Sequence, residues 1–232
     1  MTLATPQSLL KLIPCTSNEQ LDAVHLHTHE AWGPKLTLKQ YCDREAQIHK
    51  TDYARLKQRA CILVEESESE GSINWLSFGD VFYQPALLLR EGSLYEGNMV
   101  AVASVFTPRH HRRKGYAKIM LDKLLETERS NPANIATSLY TDIGPDYYAQ
   151  FGYRCHPSFT FMRRISSAEQ INGVVDEKVT LLTLSQTCEL LQAESEDIRT
   201  EFKKLEKEGC QDLKFCSLPC PLAQTYVSAW KI

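Results

Sequence analysis

The 232-residue chain predicts an α/β fold, a central sheet flanked by helices, on three observations. The valine-rich run NMVAVASVF, Asn98 to Phe106, is apolar on both faces and reads as a central strand. After it, Ala117, Met120, Leu121, Leu124 and Leu125 recur at helical spacing, the stripe of a helix that lies on a sheet. Around this pair the predicted elements run β, α, α, three or four strands, α, β, α, β, an alternation that needs helices packed on a sheet.

Ser8 to Cys15 is apolar enough for a first strand, and Thr16 and Ser17 supply N-cap oxygens for a helix that Gly33-Pro34 stops after Trp32. Thr37 with Gln40 forms a capping-box pattern that opens a second helix through about Lys50. Arg59 to Glu65 is a buried-strand run closed by the acidic turn EESESEG. Ile73 to Phe82 and Pro85 to Arg90 read as two strands or as one long strand interrupted at Pro85. Pro108 ends the central strand, and Asn131-Pro132 ends the helix that follows. Ile135 to Tyr140 is a further strand, GPDYYAQFG a short helix closed by Gly152, and Phe159 to Arg164 a last strand. From Ser166 the texture changes: Lys178 to Leu184 suits a strand and Ser185 to about Glu208 a long charged helix. The end, LKFCSLPCPLAQTYVSAWKI, is apolar and shows no partner element.

Composition narrows the function classes. Hydrophobic residues at 43% and charged residues at 24% are those of a folded, water-soluble chain. With 26 Lys and Arg against 29 Asp and Glu, the net charge of −3 argues against a globally basic nucleic-acid binder. No apolar stretch approaches the ~20 residues that span a bilayer, so no membrane partner is expected. The eight cysteines stand mostly singly behind no secretory segment, which points to reduced thiols and a cytoplasmic location. Cys210, Cys216 and Cys220 cluster without a CxxC pair or a matching histidine, so no metal is predicted.

The basic crowd RHHRRK therefore has a local purpose. It sits where the best strand meets a helix, and a helix N-terminus carries unpaired N–H groups and about half a positive charge, an anion site before any side chain is added. Gly115 lets backbone approach an oxyanion, and Ala117 keeps the first turn slim. Neither the Walker A spacing nor the three glycines of the dinucleotide fingerprint is present.

With the strand before it, RHHRRKGYA resembles the Arg/Gln-x-x-Gly-x-Gly/Ala signature of the GNAT superfamily of N-acetyltransferases, with Arg112, Gly115 and Ala117 in the three fixed positions. SLYTDIGPDYYAQFGY resembles that superfamily's second hallmark, a strand and then a helix with Tyr-x-x-x-Gly-Phe/Tyr, matched by Tyr148, Gly152 and Tyr153. The resemblance covers about Leu9 to Ile165 and implies a GNAT fold, a mixed, mostly antiparallel sheet flanked by helices, with a C-terminal α/β extension. It implies residues 1–165 as an acetyl-CoA-binding catalytic domain. TDIGPDYYAQFGYR further resembles fungal lysine N6-acetyltransferase-like proteins of lysine catabolism, whose chains continue past the point where this one stops. On that likeness, residues 166–232 are the start of an incomplete second domain. A homo-oligomer or a partner covering the C-terminal apolar segment is then expected.

What the resemblance implies for the site is specific. Ser104, Val105 and Phe106 would offer main-chain groups to the pantetheine arm of acetyl-CoA, with the N–H near Val105 facing the thioester carbonyl. Arg112, Arg113, Lys114, Gly115, Tyr116 and Ala117 would hold the pyrophosphate, mainly through N–H groups. The acceptor is a small-molecule amine, with the ε-amine of free lysine as best match. An amine of pKa ~10.4 is neutral in only about one molecule in a thousand near pH 7, a penalty of roughly 4 kcal/mol, so a base is needed. No glutamate lies on the central strand, which leaves Asp80, Asp142 and Asp146 as candidates for base, water-mediated relay or ammonium contact, or else as strand-end or N-cap residues, with capping the favoured reading for Asp146. Tyr148 is the candidate proton donor to the departing thiolate, or else a core tyrosine, with Tyr147 the packing residue beside it. His25 and His29 share a helix face and either line the acceptor pocket, bind metal or are solvated. Two alternatives stay open: a degenerate acyl-CoA-binding regulatory module and a protein or peptide N-acetyltransferase.

Overall fold

A computed structural model describes residues 9–156 and 182–221. The expected strand Phe159 to Arg164 lies outside the described residues, as does most of Lys178 to Leu184. The first strand, β1 (Leu10–Pro14), leads into α1 (Asn18–Trp32) and α2 (Leu38–His49). Capping boxes open both helices, Ser17 with Gln20 and Thr37 with Gln40, as the sequence pattern requires. At the α1 stop, a Cβ on Gly33 would meet the Tyr41 ring at 2.4 Å, so only glycine lets α2 close against the end of α1. A short helix that the periodicity did not announce, α3 (Asp52–Lys57), leads into β2 (Gln58–Glu65).

Next comes a long hairpin, β3 (Ser77–Arg90) and β4 (Ser93–Phe106), joined by Glu91 and Gly92, both at positive φ. That two-residue turn matches strand twist. β3 is one strand, not two. Pro85 lies in it without loss because β2 pairs only as far as Phe82 and the last described strand, β6 (Lys214–Ser217), begins its pairing at Ala86. The Pro85 carbonyl, which accepts from Leu218 N–H at 2.7 Å, points into that gap.

α4 (Tyr116–Ser130) and β5 (Asn134–Leu139) follow, then α5 (Asp146–Ala149) and α6 (Leu184–Lys207). The fold is mixed α/β: among the described residues, a six-stranded sheet in the order β1-β2-β3-β4-β5, with β6 on the far half of β3. All pairs are antiparallel except β4 with β5. The β6 pairing corrects the expectation that the end of the chain has no partner element, and the sequence could not show it because the partner lies more than a hundred residues away. Leu87 and Leu89 of β3 bury against Phe202 of α6 and Leu218, and Glu206 accepts the Leu94 N–H at 2.8 Å.

The two faces of the sheet bury different helices. On one, Leu63, Val81, Val100 and Val102 pack under Met120, Leu121, Leu124 and Leu125 of α4. On the other, Ala60, Ile62, Val64, Phe78 and Phe106 pack under Val24 of α1. A buried carboxylate fixes α4 in place: Glu128 is 2% exposed, ion-paired with Arg59, and accepts from Tyr83 at 3.1 Å and Asn134 at 2.9 Å. It ties α4 to β2, β3 and β5 at once. Among the described residues no helix is long and apolar enough to cross a membrane.

Candidate functional site

The site begins with an irregularity in β4. Ala103 pairs with Asp80, yet Phe106 pairs with Phe78, so three steps along β4 oppose two along β3. The extra residue is accommodated at Ser104, whose φ of 55° is left-handed. A non-glycine residue there costs about 1 kcal/mol or more, and such strain persists where the surroundings impose it. The bulge changes which way side chains point. Val100 and Val102 face α4; without the extra residue Ser104 would follow them, but it turns instead to the α1–α2 face beside Asp80, and Val105 returns to the α4 face.

On its other edge β4 pairs with β5 from Asn98 to Val102 and no further. Residues 103–106 thus extend past the β5 ladder, and among the described residues Ser104, Val105 and Phe106 form the free edge at which β4 and β5 part.

The loop after β4 turns through Arg109–His111 and reaches α4 by way of two left-handed residues, Arg113 (φ 62°) and Gly115 (φ 84°). Gly115 is the N-cap of α4. Among the described residues no side chain caps the helix, and no acidic residue lies in its first turn. Its leading N–H groups, those of Tyr116 and Ala117 among them, therefore keep their hydrogen-bonding capacity. A Cβ added to Gly115 would meet nothing within 4 Å, so the space in front of the helix end is open. The Tyr116 side chain does not share that space; it is buried in the α4 core. Arg112 folds away too: its Nε donates to the Thr107 carbonyl at 2.9 Å and its guanidinium lies 5.6 Å from the Phe106 ring centre. Arg113 is exposed and Lys114 half-buried at the margin.

Tyr148, on α5, belongs to the α4-side core, edge-on to Tyr147 at 5.1 Å and Tyr153 at 6.2 Å. Burial, then Tyr147, Asp142 and Tyr153, raise its phenol above the usual range, so it keeps its proton at neutral pH. Asp142 is exposed in the β5–α5 loop, near enough to act on Tyr148. Asp146 is the first residue of α5, not its cap; Pro145 holds the N-cap position and no side-chain cap bond forms.

Opposite Tyr148, across the sheet, α1, α2 and β2 to β4 enclose a cavity of about 190 Å³. Asp80 and Ser104 line it, and Gln58 donates to Asp80 Oδ1 at 3.0 Å. Burial raises the Asp80 carboxyl to about 6, against the pull of hydrogen bonds from Gln58 and Ser104. The cavity is completed by residues sequence reasoning passed over, Arg44, Glu45 and His49 of α2 among them. His25 lines it as well, whereas His29 turns to the Leu36 carbonyl at 2.7 Å. Among the described residues no group of three or more His, Cys, Asp or Glu is placed to hold a metal ion. Of the three candidate catalytic residues, the structure brings Asp142 and Tyr148 together and places Asp80 on the other face, with the β4 bulge between.

No family model matches the chain. It is 28% identical over 178 residues to an uncharacterized protein of Saccharomyces cerevisiae, covering 61% of this chain and 43% of that one. It is 22% identical over 186 residues to a lysine acetyltransferase of Yarrowia lipolytica, covering 71% and 46%. The chain thus spans less than half the length of these relatives. Among solved structures, an integron cassette protein from the mobile metagenome of V. cholerae shares the fold, with a TM-score of 0.50, 10% identity, and cover of 72% of this chain and 98% of that one. An aminoglycoside N-acetyltransferase in complex with CoA aligns with a TM-score of 0.46 at 13% identity, over 67% of this chain and 94% of that one.

Proposed function

We propose that the chain is an acetyl-CoA-dependent N-acetyltransferase acting on the amine of a small molecule, with the ε-amine of free lysine as the best match. The observation that carries this reading is the join of a bulged, splayed β4 to an uncapped α4 helix end. The residues fit the donor: the open space at Gly115, before the N–H groups of the α4 end, suits a pyrophosphate, and the free edge at Ser104 to Phe106 suits an amide-bearing arm. The likeness to a lysine acetyltransferase supports the acceptor.

When bound, acetyl-CoA supplies an activated acyl group, and the amine nitrogen gains a bond to the acetyl carbon as that carbon's bond to sulfur breaks. Asp80 would take the proton the ammonium loses. Its rise from 3.8 to about 6 narrows the gap to an amine by roughly 2 pKa units, about 3 kcal/mol, while leaving it mostly ionised at pH 7. Tyr148 would give a proton to the departing thiolate, and Asp142 would act on Tyr148 through its charge. Arg113 and Lys114 would add charge at the rim of the phosphate cradle. The test is release of free thiol with acetyl-CoA and lysine together, with mass spectrometry of the product. The reading requires release that depends on both compounds and a single acetyl on lysine; acetyl-CoA that binds and is never consumed with lysine or other amines would reduce the chain to a binding module.

A further inference from the structure

The cavity under α1 and α2 holds five side chains from three elements whose charges can be counted. From α1 comes His25, and burial, with His49 and Arg44 near it, lowers its pKa to about 4. From α2 come His49, lowered by burial, and the ion pair in which Arg44 Nε donates to Glu45 Oε1 at 2.9 Å. Asp80 of β3 is the fifth, held by a neutral amide and a neutral hydroxyl. Both imidazoles are therefore neutral near pH 7, and Arg44 and Glu45 balance each other. One negative charge remains, on Asp80.

The shape is as restrictive as the charge. About 190 Å³ holds roughly six waters at ~30 Å³ each and falls below the 300 Å³ or more of pockets that engulf a whole ligand. Phe78 and Val24 are buried apolar walls, and Trp32 at the rim is 39% exposed. Methylenes suit those walls, and a cation suits Asp80 and the aromatic faces.

Building on the acetyl-transfer reading, we infer that this cavity recognises a primary ammonium at the tip of an unbranched, uncharged alkyl arm, because the one carboxylate left unbalanced there, Asp80, lines a small space that Val24, Trp32 and Phe78 also wall. The rest of the acceptor stays outside the rim. An α-amine fails on this account, since the carboxylate beside it would be carried toward Asp80, a like-charge contact that lowers affinity ~100-fold.

Binding alone tests the idea, without acetyl-CoA and so apart from the acetyl-transfer reading. Lysine, pentylamine, norleucine and pentanoate are titrated in turn while the ring signals of His25 and His49 are followed by NMR. Lysine and pentylamine are expected to shift both rings with similar Kd, norleucine and pentanoate to bind at least ~100-fold more weakly, and Asp80→Asn to remove the response to both amines. Glu45→Gln, which leaves the Arg44 charge unbalanced, should weaken pentylamine ~10-fold or more. Norleucine binding as well as lysine, or pentylamine binding unchanged in Asp80→Asn, overturns the inference. Amines that bind this way and are never acetylated would uphold the cavity's selectivity and sink the acetyl-transfer reading.

Discussion

The loop before α4 and the cavity under α1 and α2 flank the same bulged strand but are made of opposite materials. The loop presents backbone: uncapped N–H groups, a left-handed glycine and open space, with Arg112 turned back onto β4. The cavity presents side chains, its two carboxylates held by neighbours: Asp80 by Gln58, Glu45 by Arg44. The difference teaches where each half is vulnerable. A backbone cradle ignores most side-chain deletions and fails when something fills it. A side-chain cavity fails on the loss of a single oxygen.

The substitutions that sharpen this contrast fall in order of size. Gly115→Glu puts a Cβ and a carboxylate into the cradle at φ 84°, and should abolish acetyl-CoA binding in calorimetry. Tyr148→Phe should lower turnover ~10²-fold with little change in acetyl-CoA affinity or melting temperature. If instead melting falls by ~1 kcal/mol and turnover holds, Tyr148 is a packing residue.

Asp80→Asn acts in two directions. Its folded pKa of about 6 lies above the unfolded value near 3.8, so the stability it contributes is present below pH ~4 and lost as pH rises through 6. At neutral pH the ionised side chain is thus a burden of up to about 3 kcal/mol. The asparagine variant should melt several degrees higher while turnover drops ~10²-fold. In the wild type, kcat/KM should fall as pH drops through about 6, and the variant should lose that limb. A variant less stable and still pH-dependent around 6 would show that Asp80 is not the base.

Smaller effects follow. Arg59→Leu leaves the buried Glu128 without its cation and should cost about 3 kcal/mol in chemical denaturation, with the acetyl-CoA Kd nearly unchanged because the change lies at the far end of α4. Smallest of all, Lys114→Ala should weaken acetyl-CoA only a few-fold, about 1 kcal/mol for a contact at the margin. Equal losses in Lys114→Ala and Gly115→Glu would erase the distinction between a backbone cradle and a charged one.

How much of this was legible follows the same division. The loop could be read because its signal is local: a strand, a glycine and a stripe of Met120, Leu121, Leu124 and Leu125 lie within one short stretch. Capping at Ser17 and Thr37 was equally local. The cavity could not be read, since Arg44, Glu45 and His49 occupy an ordinary polar helix and gain meaning only where the sheet brings Asp80 beneath them. His25 was singled out, but with His29, which the α1–α2 loop engages instead through the Leu36 carbonyl. The bulge at Ser104 was also hidden, for no residue preference marks a serine forced to positive φ. Pro85 misled in the same way, reading as a break until the gap between β2 and β6 explained how one strand tolerates it.

The most direct measurement is calorimetric titration of acetyl-CoA into the wild-type chain and into Gly115→Glu, side by side. The account predicts one-to-one binding to the wild type, lost in the variant, which stays folded with its melting temperature lowered only by the few degrees that about 1 kcal/mol of strain at φ 84° costs. Absence of binding to the wild type, or equal binding to both proteins, would contradict it.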